Sequence, residues 1–268
     1  MAAAAVKIAP ALAALLMAAP VAAQDKPRDY CPARPGLGSP ACTIDAGRVS
    51  VETSLADWTL DRQPGDRTDT VLIGDTLVRI GLTDNIEAQI GWTPVGFVRE
   101  RSGGAIDRAT RAGDVSLGLK ANLADPDGSG LSIAVQPFAT LPTGRQPIGA
   151  GDWGAGVVVP LTYDVSKAVN VQFVPEVDAA VNTGGRGRHF AASATLGLGV
   201  QLSNKVTVEV EGQALRDNDP LGRTTQERAA LSLAYKVNDD LQLDIGGIAG
   251  LNRDAPDVEL LAGVARRF

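Results

Sequence analysis

Residues Asp240 to Leu251 read DLQLDIGGIAGL, and apolar and polar positions alternate along this stretch. Its odd-numbered positions hold leucine, isoleucine, glycine or alanine, whereas its even-numbered positions include Gln242 and Asp244. Side chains of a β-strand point to opposite faces in turn, so the stretch predicts a strand with one apolar and one polar face. The same alternation marks 205–214 (KVTVEVEGQA) and 114–123 (DVSLGLKANL).

Runs of this kind follow one another from residue 46 to the end of the chain. They predict about twelve strands, with approximate spans 46–60, 69–82, 85–98, 112–123, 129–141, 153–163, 168–181, 188–202, 205–216, 225–237, 240–251 and 257–268. Short connections with turn residues lie at 83–85, 125–128, 164–167, 203–204 and 238–239. They alternate with mostly longer, polar connections at 61–68, 99–111, 142–152, 182–187, 217–224 and 252–256. This alternation is typical of an outer-membrane barrel.

The composition of the two strand faces favours a barrel in lipid over a soluble β-sandwich, although both folds alternate. A closed barrel in a membrane needs an apolar exterior and tolerates Asp, Glu, Gln and Lys inside. Trp58 falls on the polar side of its strand, which indicates a bulge or a different register there. Aromatic residues near strand ends match interfacial girdles; they are Trp92, Phe97, Trp153, Tyr163, Phe190 and Tyr235. The sequence therefore predicts an all-β fold, a transmembrane antiparallel up-and-down β-barrel over 46–268.

The N-terminus predicts export. Residues 1–23 combine Lys7, a short apolar run and small residues before Gln24, as a cleaved signal peptide does. Residues 24–45 are predicted as an irregular periplasmic segment, in which Cys31 and Cys42 form a disulfide after export. The expected location is the bacterial outer membrane. A net charge of −6 gives no electrostatic footprint for nucleic acid.

Strand parity assigns a set of charged residues to the lumen. They are Asp75, Arg79, Glu87, Asp114, Lys120, Glu176, Asp178, Glu209, Glu211, Lys236, Asp244, Glu259 and Arg267. Nine of these are acids and four are bases, so an open pore should prefer cations. The alternative is that the charges largely neutralise one another in a narrow lumen.

Three segments resemble a known family, the outer-membrane barrels related to the MetA pathway of phenol degradation. They are 77–87 (LVRIGLTDNIE), 113–120 (GDVSLGLK) and 140–144 (TLPTG), and they occur in the expected order. The resemblance implies a channel-like outer-membrane transporter that passes hydrophobic or aromatic compounds.

The sequence predicts no enzyme, cofactor or metal site. The single histidine, His189, is expected at a loop edge, and Ser193 lies about 13 Å along an extended strand from it, too far for a nucleophile–base pair. A small passive channel gated by loops 99–111 and 142–152 is the leading hypothesis. A non-conducting structural or adhesive barrel and an outer-membrane lipase are the alternatives.

Partners follow from the same location. Small solutes would pass through the barrel, and the outer-membrane lipid would surround it. Phe268 ends the last strand, and a terminal aromatic is an assembly signal for the barrel assembly machinery. Arginines of loop 99–111 are candidates to bind lipopolysaccharide phosphates; they are Arg99, Arg101, Arg108 and Arg111.

Overall fold

The computed structural model describes residues 27–268, in which sixteen β-segments form one antiparallel sheet. Their bounds are β1 Val49–Gln63, β2 Asp66–Ile73, β3 Thr76–Gly81, β4 Ile86–Trp92, β5 Val95–Ser102, β6 Ala105–Arg111, β7 Val115–Ala124, β8 Leu131–Leu141, β9 Gly154–Val158, β10 Leu161–Ser166, β11 Val169–Val181, β12 Arg188–Ser203, β13 Val206–Asp219, β14 Gly222–Asn238, β15 Leu241–Gly250 and β16 Val258–Arg267. Within this range, no helix is long and apolar enough to cross a membrane. The predicted signal peptide, 1–23, lies outside the described residues.

The sheet closes on itself because β1 pairs with β16. Four strands of the ring are each interrupted once: β2 and β3 both pair with β1, and β9 and β10 both pair with β8. The pairs β4 and β5, and β6 and β7, are halves of the next two strands. Counting each pair as one strand gives 16 − 4 = 12. The predicted twelve-stranded up-and-down barrel is confirmed.

The interruptions fall where the backbone cannot continue its hydrogen bonds to the neighbouring strand. Pro94 stands between β4 and β5, and Pro160 stands between β9 and β10. Proline has no N–H to donate to a neighbouring strand. Gly74, between β2 and β3, has a φ of 71°, a conformation that favours glycine.

The predicted faces are confirmed by exposure. On β15, Ile245 is 58% exposed on the outer face, whereas Asp244 is 4% exposed on the inner face. The register of β1 shifts between Ser54 and Ala56. This shift explains why Trp58 departs from the predicted parity, because one extra residue turns its side chain from the inner to the outer face.

Three predicted outer loops are wrong, because the strands continue through them. The segment 61–68 is a hairpin that turns at Pro64 and Gly65, and 99–111 is a hairpin that turns at Gly103 and Gly104. The segment 217–224 is a third hairpin, formed by β13 and β14. Beyond the lipid a strand needs no apolar face, so the alternation fades while the backbone pairing goes on.

Candidate functional site: the occupied lumen

Residues 28–45 run inside the barrel, and we call this segment the plug. Its backbone N–H groups donate to carboxylates on three separate strands. Ala33 donates to Glu52 of β1 at 2.7 Å, Gly38 donates to Glu211 of β13 at 2.7 Å, and Ile44 donates to Glu87 of β4 at 2.8 Å. The segment is irregular, and the barrel wall encloses it.

The plug sits at the short-turn end of the barrel. The Thr43 N–H donates to the carbonyl of Pro126, and the Thr43 hydroxyl donates to the carbonyl of Asp84 at 2.7 Å. Both partners belong to the short turns of the ring. The C-terminal strand ends at the same place, since Phe268 and Val49 exchange backbone hydrogen bonds. In outer-membrane barrels the short turns lie at the periplasmic end.

Arg79 on β3 joins the plug to the wall. Its guanidinium donates to Glu87 at 2.8 and 3.0 Å and to Glu52 at 3.1 Å. It also donates to the plug carbonyls of Cys31 at 2.7 Å and Cys42 at 3.2 Å. All five N–H groups of the side chain therefore have an acceptor, and the residue has no exposed surface.

Lys120 on β7 completes this buried cluster. Its ammonium lies 3.8 Å from Glu87 and donates to the plug carbonyl of Pro40 at 2.8 Å. The two bases, Arg79 and Lys120, are balanced by the two acids, Glu52 and Glu87, none with exposed side-chain surface. Neutralisation inside the lumen thus occurs at this cluster, and the plug supplies the remaining acceptors.

A second cluster holds the plug on the opposite side of β1. Arg34 donates to Ser54 at 2.6 Å and lies 3.2 Å from Asp244 of β15. A Cβ atom at Gly263 would lie 2.5 Å from the Arg34 guanidinium, so a larger residue there would displace this side chain from its position. A Cβ atom at Gly81 would likewise lie 2.0 Å from the carbonyl oxygen of Asp45. The wall is therefore shaped to the plug.

The predicted disulfide between Cys31 and Cys42 is confirmed. It closes the plug into a compact loop whose two cysteine carbonyls both accept from Arg79. Next to it, Tyr30 bonds to the Ser50 hydroxyl at 2.6 Å. Burial, helped by the nearby Glu52, raises the pKa of Tyr30 well above its usual range, so the phenol stays neutral.

The plug leaves a cavity of about 280 Å³ on one side. This cavity lies between plug residues such as Arg34 and Pro40 and the wall formed by β10, β11, β13, β14 and β15. Glu209 and Gln172 are hydrogen-bonded to each other on its lining. Polar side chains of the wall thus face the plug across this cavity.

Several predicted lumen residues lie away from the plug. Asp75 accepts from Thr93 at 2.6 Å, and Asp114 accepts from the N–H groups of Gly144 and Ala150, each at 2.7 Å. The remaining contacts are Glu176 with Asp178, Glu259 near Arg228, and Lys236 with Asp239. Arg267, in contrast, contacts the plug: it donates to Asp45 at 3.2 Å and to the carbonyl of Arg28 at 2.7 Å.

Loop 142–152 folds inward at the outer mouth. Ile148 packs beside Leu72 over Gly96, where a Cβ atom would lie 2.5 Å from the Ile148 side chain. At its end, Asp152 lies 3.3 Å from Arg188. Backbone N–H groups of Gly187 and Trp153 lower the pKa of Asp152, which keeps it ionised for this pair.

His189 lies directly after the loop 182–187, at the start of β12. It is the second residue of β12, its side chain is 6% exposed, and it lies 2.7 Å from Asp217 and 2.9 Å from Asn182. Within residues 27–268, no group of three or more His, Cys, Asp or Glu side chains is arranged to hold a metal ion.

Sequence reasoning missed Glu52 and Arg34. Glu52 shares its parity with Ser50 and Ser54, but the bulge in β1 made the register of that strand ambiguous. Arg34 lies in an irregular segment, and no periodicity indicates what such a segment contacts.

Comparison with known families identifies the family of this barrel. A family model described as "Putative MetA-pathway of phenol degradation" matches residues 33–268. The chain belongs to this family. The match spans the barrel and most of the plug, and it confirms the resemblance seen between residues 77 and 144.

Solved structures with the same fold are outer-membrane barrels. An outer membrane channel from Pseudomonas putida F1 is 13% identical with a TM-score of 0.69, covering 88% of this chain and 100% of that one. The KdgM porin is 9% identical with a TM-score of 0.53, covering 82% of this chain and 99% of that one. A comparison with curated protein sequences finds no match. This member of the family thus has the fold of an outer-membrane β-barrel.

Proposed function

We propose that the protein is an outer-membrane channel for small hydrophobic or aromatic solutes, and that the plug closes its lumen in this conformation. The observation that carries the proposal is the way the lumen is filled. A barrel that needs only rigidity can fill its interior with its own side chains. This barrel instead keeps glycines such as Gly81 and Gly263 on its wall, and a separate segment occupies the space.

The contacts of the plug are compatible with its release. They are hydrogen bonds and ion pairs to polar wall groups such as Glu52, Glu211 and Asp244. Water can replace these contacts when the segment leaves, whereas a packed apolar interface would resist exposure. A channel with a displaceable segment therefore fits the contacts better than a permanently filled barrel.

The solute class is supported by the family and by the outer mouth. The family is named for phenol degradation. Apolar side chains, including Leu72, Ile148 and Phe138, point into the outer half of the lumen. An aromatic solute would find apolar contacts there before it reaches the polar plug.

A non-conducting barrel is the second candidate function. The plug favours it because the plug occupies the lumen in this structure. Ion conductance through the full-length protein in a planar bilayer separates the two. Openings that a small aromatic solute makes more frequent support the channel, whereas a barrel that never opens supports the alternative. The proposal includes no catalytic step.

The open channel is expected to prefer cations. Glu209 lines the cavity beside the plug, and Glu176 and Asp178 add carboxyl groups deeper in the lumen. The Arg79 cluster cancels its own charge, so these acids set the sign of the field in the passage. Reversal potentials under a salt gradient should show cation preference, and Glu209→Gln with Glu176→Gln should reduce it.

The matched control for this prediction is Glu227→Gln, which removes an acid from the outer face of β14. It should leave selectivity unchanged. Anion preference, or a selectivity that ignores Glu209 and Glu176, would contradict the assignment of these acids to the conducting path.

Assembly partners are part of the same proposal. Residues 1–23 are removed on export, the barrel assembly machinery recognises Phe268, and lipopolysaccharide surrounds the outer mouth. Phe268 supports this role because it closes β16 against β1 by exchanging hydrogen bonds with Val49.

Deleting Phe268 is expected to lower the amount of folded barrel in the outer membrane severalfold. Heat-modifiable migration on gels measures the folded fraction, and Phe190→Ala serves as a control because it removes an exposed aromatic elsewhere. Unchanged levels after the deletion would argue against an assembly signal at this position.

A further inference from the structure

Five arginines cluster on the outer face of the barrel just beyond its aromatic belt. They are Arg62, Arg67, Arg99, Arg101 and Arg108, and we call them the arginine rim. We propose that the arginine rim binds the phosphate groups of lipid A in the outer leaflet. This inference rests on the outer-membrane location proposed above and adds a site and a ligand chemistry to it.

Strand register places the rim. Trp58, Val71 and Phe97 stand side by side on β1, β2 and β5, and they face outward, with Phe97 46% exposed. Two residues further toward the outer end, the same face presents Leu60, Asp69, Arg99 and Arg108. The next row holds Arg62, Arg67 and Arg101. Aromatic belts mark the level of the lipid headgroups, so the rim lies where headgroup phosphates are found.

The rim contains three directly opposed pairs of like charge. Arg62 faces Arg67, Arg67 faces Arg101, and Arg99 faces Arg108. Like charges directly opposite each other destabilise an antiparallel sheet. A bound anion removes this repulsion, and a protein with no such ligand would gain stability by replacing the arginines.

The protein's own acids do not neutralise the rim. Asp69 accepts two hydrogen bonds from Arg67, at 2.8 and 2.7 Å, and lies 3.9 Å from Arg99. Asp257 lies 3.1 Å from Arg62. Among residues 27–268, Arg101 and Arg108 have no acidic partner. Five bases against two acids leave 5 − 2 = +3.

Phosphate is the anion that this arrangement fits. A planar guanidinium binds phosphate oxygens through two parallel hydrogen bonds, and several adjacent guanidiniums can engage more than one phosphate. Lipid A carries its phosphates at the membrane surface and its acyl chains beside the apolar wall below. Arg111, expected from the sequence to take part, pairs with Gly96 and falls on the lumen side.

The test measures binding of lipid A to the purified full-length barrel by native mass spectrometry. Lipid A with both phosphates should bind, and Arg99→Gln, Arg101→Gln, Arg108→Gln together should weaken it about tenfold or more, because one charge-assisted hydrogen bond is worth about that factor. The control, Arg216→Gln with Arg223→Gln on the outer face of the β13–β14 hairpin, should bind as the parent does.

Three results would overturn the inference: equal binding by the triple variant, equal binding of lipid A stripped of its phosphates, or displacement of lipid A by equimolar inorganic phosphate. The last would assign the rim to free phosphate. Conductance of the same variants is expected to match that of the parent. A failed binding test with normal conductance would therefore remove this site and leave the proposed channel function standing.

Discussion

Deleting residues 28–44 is expected to convert the protein from a largely closed channel into an open one. Conductance in a planar bilayer should rise about tenfold or more, because a twelve-stranded barrel without its internal segment encloses a hydrated passage. The wall groups that lose the plug, such as Glu211 and Asp244, become hydrated and keep the passage polar.

The control for this deletion is Asp29→Asn, which changes an exposed residue of the same segment and should leave the channel closed. Heat-modifiable migration verifies that the shortened chain still forms a barrel. A folded barrel that conducts no better after the deletion would mean that the plug is not the barrier, and the non-conducting alternative would replace the channel.

Replacing Arg79 by methionine is expected to lower the free energy of unfolding by about 3–5 kcal/mol, the usual result of leaving buried charges without their partner. Glu52 and Glu87 would lose their ion pairs with Arg79, and the carbonyls of Cys31 and Cys42 would lose a donor. The plug should loosen at the same time, so channel openings should become more frequent. Urea unfolding in detergent measures the first effect.

The matched control is Arg62→Met. Arg62 also pairs with an acid, Asp257, but its side chain is 60% exposed, so the change should stay within about 1 kcal/mol. If Arg79→Met prevents folding of the full chain, the same substitution in the barrel lacking 28–44 provides the comparison. There water reaches Glu52 and Glu87, and the loss of stability should be smaller. An equal loss in both backgrounds would show that Arg79 does not couple the plug to the wall.

Strand positions could be predicted from the sequence because each strand of a barrel in lipid alternates apolar and polar residues along its own length. The strand predicted at 205–216 is observed as β13, Val206–Asp219, and its glutamates face inward as parity requires. The prediction of strand ends fails in the segments that extend beyond the lipid. The hairpin at 99–111 carries no apolar alternation, and its pairing depends on the backbone alone.

The lumen was predictable only in part. Parity gives the side of the wall on which Arg79 and Glu87 lie, but it does not say what they contact. The plug has no periodicity, and its path depends on many separate hydrogen bonds to distant strands. The sequence signals that bear on it, the cysteine pair and the glycines Gly81 and Gly263, acquire their meaning only when the wall and the segment are seen together.

We expect the channel to conduct when the plug moves away from the wall. A reversible bridge between Gly38→Cys in the plug and Gln172→Cys on β11 tests it. A Cβ atom at Gly38 would lie 3.1 Å from the terminal carbon of Gln172, and two carbon–carbon bonds add about 2.5 Å at most. A short bifunctional thiosulfonate reagent spans that separation, and a reductant cleaves the bridge.

Single-channel recording of this variant before bridging, after bridging and after reduction is the most direct measurement. Gln172→Cys alone, treated identically, accounts for any effect of the reagents on the native disulfide. Openings should disappear when the bridge forms and return when it is cleaved. Openings that continue through the bridged protein would contradict the account, because ions would then pass beside a plug that has not moved.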